Sequence, residues 1–162
     1  MVDGPVTASH LNLGTGVWVE GGTAEVSGDV SAATYGAHCS YDAKVAIAGD
    51  ITITAVHGFG QGVFAVGGDD DETRVTVGGD VTANGTNAVG VQTAGKSAVT
   101  VNGTVTATGT GGVGVESMGV NDTRYSVVTV CRGVTGVACG VRASNHGKAV
   151  IFGPVSATEE NG

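Results

Sequence analysis

Leucine is nearly missing from this 162-residue chain: it occurs twice, at Leu11 and Leu13, against twenty-nine valines. Amphipathic helices are built largely from leucine and other unbranched residues, so a chain dominated by Val, Thr and Gly points to strands. Basic residues are also sparse. Seven Lys and Arg, spaced singly against fifteen Asp and Glu, give a net charge of −8, which leaves no phosphate-binding stripe and argues against a nucleic-acid partner. The chain contains no run of eighteen apolar residues, so no membrane insertion is expected. Its opening Met1-Val2-Asp3-Gly4-Pro5 carries neither the basic nor the apolar region of a signal peptide. Three cysteines, Cys39, Cys131 and Cys139, form no C-x-x-C pair and leave an odd thiol whichever two might join. The sequons at Asn84, Asn102 and Asn121 are read as an accident of a chain rich in Asn, Gly and Thr.

What is present is a repeat. Thirty glycines without a Gly-X-Y period exclude collagen, and the glycines fall at fixed places. Val75-Thr76-Val77-Gly78-Gly79-Asp80-Val81-Thr82-Ala83 and Val99-Thr100-Val101-Asn102-Gly103-Thr104-Val105-Thr106-Ala107 superimpose without a gap. Fainter copies read Ala24 to Ala32, Val45 to Ile53, Val128 to Gly136 and Val150 to Ala157, the last one residue shorter. Each copy is two strands meeting at a Gly-containing corner. A third strand is marked by Gly and a small apolar residue: Gly16-Val17, Gly36-Ala37, Gly62-Val63, Gly90-Val91, Gly114-Val115 and Gly140-Val141. Three strands recurring every 21 to 30 residues match one coil of a parallel β-helix. The fold class expected is therefore all-β: a right-handed parallel β-helix of about six coils, forming one domain over residues 1–162, with repeat coils at 13–158 and terminal segments at 1–12 and 159–162.

Strand alternation sorts inside from outside. One inward stack runs Val26, Ile47, Val77, Val101, Val130, Phe152; a second runs Val30, Ile51, Val81, Val105, Val134, Val155; a third runs Val17, Ala37, Val63, Val91, Val115, Val141. Facing outward is a column of hydroxyls, Ser31, Thr52, Thr82, Thr106, Thr135 and Ser156. The outward column of the third strand, Trp18, His38, Phe64, Gln92, Glu116 and Arg142, shares no chemistry by sequence and reads as variable or specialised coil by coil.

The repeated V-T-V-x-G-x-V-T-A followed by G-V resembles the β-helical passenger and repeat regions of bacterial surface proteins, such as autotransporters and filamentous-haemagglutinin-like adhesins, and more loosely the pectin-lyase superfamily. The resemblance covers residues 13–158. It implies an extracellular or cell-surface location and a host or cell-surface protein or glycan as partner. Neither end shows a cap: the front offers Leu11, Leu13 and Trp18, the back ends in Glu159-Glu160-Asn161-Gly162. The chain thus reads as part of a longer exported protein, with strand edges open to end-to-end association.

Two insertions stand out. Val63 to Val75 and Val115 to Val128 span 12 and 13 residues where other coils need 7 to 9. They leave from the same corner two coils apart, roughly 10 Å. One carries Gly67-Gly68 and then Asp69, Asp70, Asp71 and Glu72; the other carries Asn121, Asp122, Thr123, Arg124 and Tyr125. These are the candidate ligand-binding loops. Asp69, Asp70, Asp71 and Asp122 are the candidate metal ligands, with Ca²⁺ as the ion their oxygens suit. A solvated loop is the simpler account, with Lys96 at the same corner to offset charge.

The pectin-lyase resemblance also implies an enzymatic reading, because Gly68-Asp69-Asp70, His57-Gly58 and Asn145-His146-Gly147 match fragments of polygalacturonase motifs. Spacing argues against it. His146 lies three coils from Asp70, roughly 14 Å, beyond the reach of paired glycosidase carboxylates, and the family's Asn-Thr-Asp element is missing. His10, His38, His57 and His146 fall in no metal-ligand spacing. Cys39 and Cys139 read as small core residues, and Cys131 as the reactive thiol. A single hydroxyl rank beside Asp29, Asp50, Asp80, Thr104, Gly133 and Pro154 makes a poor ice lattice. The expected function is a non-catalytic display scaffold, adhesin or spacer. A carbohydrate-active β-helix built on the acidic loops is the competing class, and an ice-binding solenoid a third.

Overall fold

The computed structural model describes residues 1–8, 14–54 and 58–159. Its strands lie in three parallel sheets, and successive strands visit the sheets in turn, so the chain winds as a parallel β-solenoid of about six coils with three strands per coil. The first sheet contains Val6–Ala8, Val30–Ala32, Ile51–Ile53, Val81–Asn84, Thr104–Thr108, Gly133–Gly136 and Val155–Ala157. The second contains Thr15–Glu20, Tyr35–Ser40, Gln61–Val66, Val89–Ala94, Val113–Met118 and Cys139–Ser144. The third contains Thr23–Val26, Lys44–Ile47, Thr73–Val77, Ser97–Val101, Ser126–Val130 and Gly147–Ile151. The described residues contain no helix.

The second and third inward stacks hold pair by pair: Val30↔Ile51↔Val81↔Val105↔Val134↔Val155, and Val17↔Ala37↔Val63↔Val91↔Val115↔Val141. The first needs one correction. Val130 pairs with Ile151, not Phe152, so the last copy begins at Ala149 and is full length. Parity then puts Phe152 outside, where it is 71% exposed. Strand structure also starts before residue 13, since Val6–Ala8 adds in register to Val30–Ala32 and Val2 bridges to Val26. Leu11, Leu13, His10 and His57 lie outside the described residues.

The Gly-Val signature of the second sheet has a packing cause. A Cβ placed on Gly36, Gly62, Gly90 or Gly114 would lie 2.2–2.4 Å from the γ-carbon of Ile51, Val81, Val105 or Val134. Each glycine is the notch that lets the first-sheet aliphatic cross the narrow interior. A second set of glycines serves a polar ladder. Asp29 Oδ1 accepts the Asp50 N–H at 2.9 Å, Asp50 Oδ1 that of Asp80 at 2.8 Å, and Asp80 Oδ1 that of Thr104 at 2.7 Å. Cβ atoms on Gly49, Gly79 and Gly103 would meet those carboxylates at 1.9–2.2 Å. The acidic column beside the hydroxyls is therefore corner-capping structure that satisfies backbone donors left unpaired where a strand begins.

Substituting Gly62→Ala drives a methyl into Val81 and the Gly90 carbonyl and is expected to cost about 1–3 kcal/mol. Gly68→Ala, where nothing lies within 4 Å of the added carbon, is expected to stay within about 0.5 kcal/mol of the parent. Chemical denaturation of both variants measures the contrast, and equal losses would refute the notch.

Candidate functional site

Between the second and third sheets the chain turns a corner, and this corner carries the irregular features. Three coils turn it in two residues, Gly21-Gly22, Gly95-Lys96 and Asn145-His146, and a fourth turns it in three, Tyr41-Asp42-Ala43. Positive φ values of 65° at Gly21, 65° at Gly95 and 48° at Asn145 show a left-handed corner that Gly and Asn adopt readily. Tyr41 occupies the same position at φ 51°, where a bulky side chain is strained, and is 65% exposed.

The other two coils extend the corner into the insertions. Arg124 of the second insertion forms an ion pair with Asp69 of the first, so the loops meet across the intervening coil. On that coil Lys96 Nζ donates to the Asp70 carbonyl at 2.7 Å. Glu72 pairs with Arg74, and Asp122 lies 2.8 Å from His146 Nδ1. Asn121 Oδ1 accepts the backbone N–H groups of Thr123 and Arg124, closing its own turn, and Tyr125 is 53% exposed. Asp70 and Asp71 are exposed. The structure thus brings Asp69 to Arg124 and Asp122 to His146, and does not gather the four candidate ligand carboxylates. Among the described residues no three His, Cys, Asp or Glu side chains converge on a metal-sized site.

Beneath the loops lies a buried hydroxyl set missed by a reading of aliphatic alternation alone. Thr73, Ser97 and Ser126 stack inside, next to Thr93 and Ser117. Thr73 Oγ1 donates to the Val66 carbonyl at 2.8 Å and Ser97 Oγ to that of Ala94 at 3.0 Å, while the Ser117 and Ser126 hydroxyls share a 2.8 Å bond. The first two bonds satisfy carbonyls where the chain leaves the second sheet, and the third pairs two buried hydroxyls.

The outward column of the second sheet proves to be ordered. Trp18 stacks on His38 with centroids 4.4 Å apart and planes 19° from parallel. His38 meets Phe64 edge-on at 5.1 Å and Tyr35 at 5.4 Å. From there the strip turns polar: Gln61 bonds Gln92, Gln92 Nε2 donates to Glu116 at 2.8 Å, and Arg142 Nη1 donates to Glu116 at 3.0 Å. Six coils therefore contribute one continuous strip, aromatic on three coils and hydrogen-bonded on three. Beside its aromatic half, against the corner, is a groove of about 450 Å³. Trp18, Glu20, His38, Ser40, Tyr41, Val66 and Gly67 line it. The sequence signal for this groove was Tyr41 standing at the corner position where the other short corners place Gly or Asn.

Burial holds the pKa of His38 below its ordinary 6.5, with the Glu20 carboxylate pulling it back up. Its Nδ1 is enclosed without a hydrogen-bond partner. Among the thiols, Cys39 is fully buried and burial pushes its pKa up to about 12. Cys139 is half-buried and bonds the Val141 carbonyl at 3.2 Å, and Cys131 is exposed.

Comparison of the chain with protein-family models, curated proteins and solved structures found no match.

Two outcomes follow from these environments. The unfolded chain protonates His38 below about pH 6.5 while the folded chain keeps it neutral to lower pH, so stability contributed by this residue falls as pH drops through that window and is flat above it. Melting temperatures at pH 7.5 and pH 5 are expected to fall further in the parent than in His38→Phe, and the opposite order would contradict the assignment. A thiol reagent added to native protein is expected to label Cys131 first and Cys39 only after unfolding, as peptide mapping of the labelled sites can show.

Proposed function

We propose that this chain is a non-catalytic, rigid β-solenoid segment that presents an interaction strip to a host or cell-surface protein or glycan, as part of an extracellular or cell-surface protein. The observation that carries the reading is the second-sheet strip. Side chains separated by more than a hundred residues in sequence, Trp18 to Arg142, stand in one register on six successive coils. A surface assembled this way is ordered before any partner arrives, which lowers the entropic cost of binding. The adjoining loops are tied to each other by Arg124 and Asp69 and to the central coil by Lys96, so they extend the strip as a braced edge. The repeat's resemblance to β-helical regions of bacterial surface proteins supports the location. The carbohydrate-cleaving reading draws no support from the loops, since Asp69 and Asp122 each face a basic side chain.

The test is an array of glycans and cell-surface proteins probed with the immobilised chain, paired with a turnover assay on acidic polysaccharides with and without Ca²⁺. Binding without turnover, weakened about tenfold or more by Phe64→Ala or Trp18→Ala, is the expected result. Polysaccharide cleavage abolished by Asp70→Ala or Asp71→Ala would overturn the proposal.

A further inference from the structure

Charge is distributed unevenly along the rod. Residues 1–43 carry Asp3, Glu20, Glu25, Asp29 and Asp42 and no Lys or Arg, whereas residues 123–158 carry Arg124, Arg132, Arg142 and Lys148 and no Asp or Glu. The winding places the first group on the leading coils and the second on the last two. One end is therefore acidic and the other basic.

The inward stacks, sealed within the rod, are open at both ends. Val30, Ile51, Val81, Val105 and Val134 are 0–2% exposed, while Val155, the next member of that stack, is 51% exposed. Val141, Ala149 and Ile151 on the same last coil are only partly buried. Through Glu159 the chain stays on the preceding coil's corner, where the Thr158 and Glu159 N–H groups donate to the Gly136 and Val137 carbonyls. Among the described residues nothing folds over this end. At the front, Val6 and Ala8 are partly buried and Val2 is 49% exposed.

We propose that copies of this chain associate head to tail, the last coil of one seating on the first coil of the next as one more turn of the same solenoid. In the register that the interior coils keep, Cys139–Ser144 adds to the second copy's Thr15–Glu20 and Val155–Ala157 adds to its Val6–Ala8. Val141 then stands on Val17, Val155 on Val6 and Ser156 on Thr7, like upon like. Strand addition of this kind supplies main-chain hydrogen bonds and apolar contact together. The corner fits as well. Within the rod the Asp29, Asp50 and Asp80 carboxylates each cap the N–H of the following coil, whereas at the joint Pro154 offers no carboxylate and Pro5 has no N–H to cap. Both prolines precede their strands and leave the ladder donors in place. On the second sheet the joint sets Arg142 beside Trp18 and about 8 Å from Glu20, one coil across and two residues along, within reach of its long side chain. Head-to-head or tail-to-tail contacts would oppose like charges. Each head-to-tail step leaves a fresh end, so the assembly is an open chain of copies. The inference goes beyond the display reading and does not depend on what the strip binds.

Sedimentation velocity of the full chain over a wide concentration series tests it. The mean mass is expected to rise past the dimer without reaching a closed endpoint, and added salt to shorten the assemblies. Arg142→Glu and Glu20→Arg, both at exposed positions, are each expected to weaken association about fivefold or more, and a chain carrying both reversals to recover most of it. Phe64→Ala, which alters the strip but neither end, is expected to assemble like the parent. A monomer at every concentration, a dimer that stops growing, or association unmoved by either reversal would overturn the proposal. Assembly lost in Phe64→Ala would assign the contact to the strip and overturn it too, while glycan or protein capture by a strictly monomeric chain would leave the display reading standing.

Discussion

Each coil of this protein has to offer the next one the same backbone edge and the same side-chain profile, because parallel strands pair only in register and a one-residue slip would exchange inside for outside. From that constraint the rest follows. A narrow three-sided interior has room for Val, Ile and Ala but not for stacked Leu or aromatic residues, and where a first-sheet aliphatic leans across, the facing residue must be Gly. The same requirement governs the corners, where Asp29, Asp50 and Asp80 each reach along the rod to cap the next coil's backbone. Glycine therefore serves here chiefly to admit neighbours, and at some corners it supplies a left-handed turn, as at Gly21 and Gly95 between the second and third sheets and at Gly109 and Gly111 between the first and second.

Most of the fold was legible because packing repeats once per coil. The stacks through Val81 and Val63 could be written from the sequence alone, as could the outward hydroxyl column. The register of the last copy was misjudged because matching Phe152 to Val130 followed hydrophobicity, whereas the backbone ladder carries Ile151 there and leaves the ring outside. The short strand Val6–Ala8 was missed because three residues are too few to show alternation. The aspartate column was noticed but read as a failed lattice, since its role lies in side-chain bonds to backbone that no periodicity reveals.

The site was less legible for a physical reason. Unlike residues can form one surface when they stand on adjacent coils: Trp18, His38 and Phe64 stack, and Gln92, Glu116 and Arg142 join through hydrogen bonds, although their chemical classes alternate without pattern. The acidic loops drew attention by composition, yet Asp69 and Glu72 pair with Arg124 and Arg74, Asp122 lies against His146, and the Lys96 ammonium sits on a loop carbonyl. Exposed ion pairs of this kind contribute about 0–1 kcal/mol each, enough to bias loop position but not to define the coil beneath. The neighbouring groove was signalled by one residue type at an unsuitable backbone position.

The most direct measurement of coil-on-coil register is a set of spin-label distances along the hydroxyl column, in a chain whose native cysteines are replaced. Labels at Thr7 paired with Thr106, Thr135 and Ser156 stand four, five and six coils apart. The account predicts separations near ~19, ~24 and ~29 Å, rising by one strand spacing at each step. Distances that fail to rise in equal steps, or that follow sequence separation instead, would contradict it.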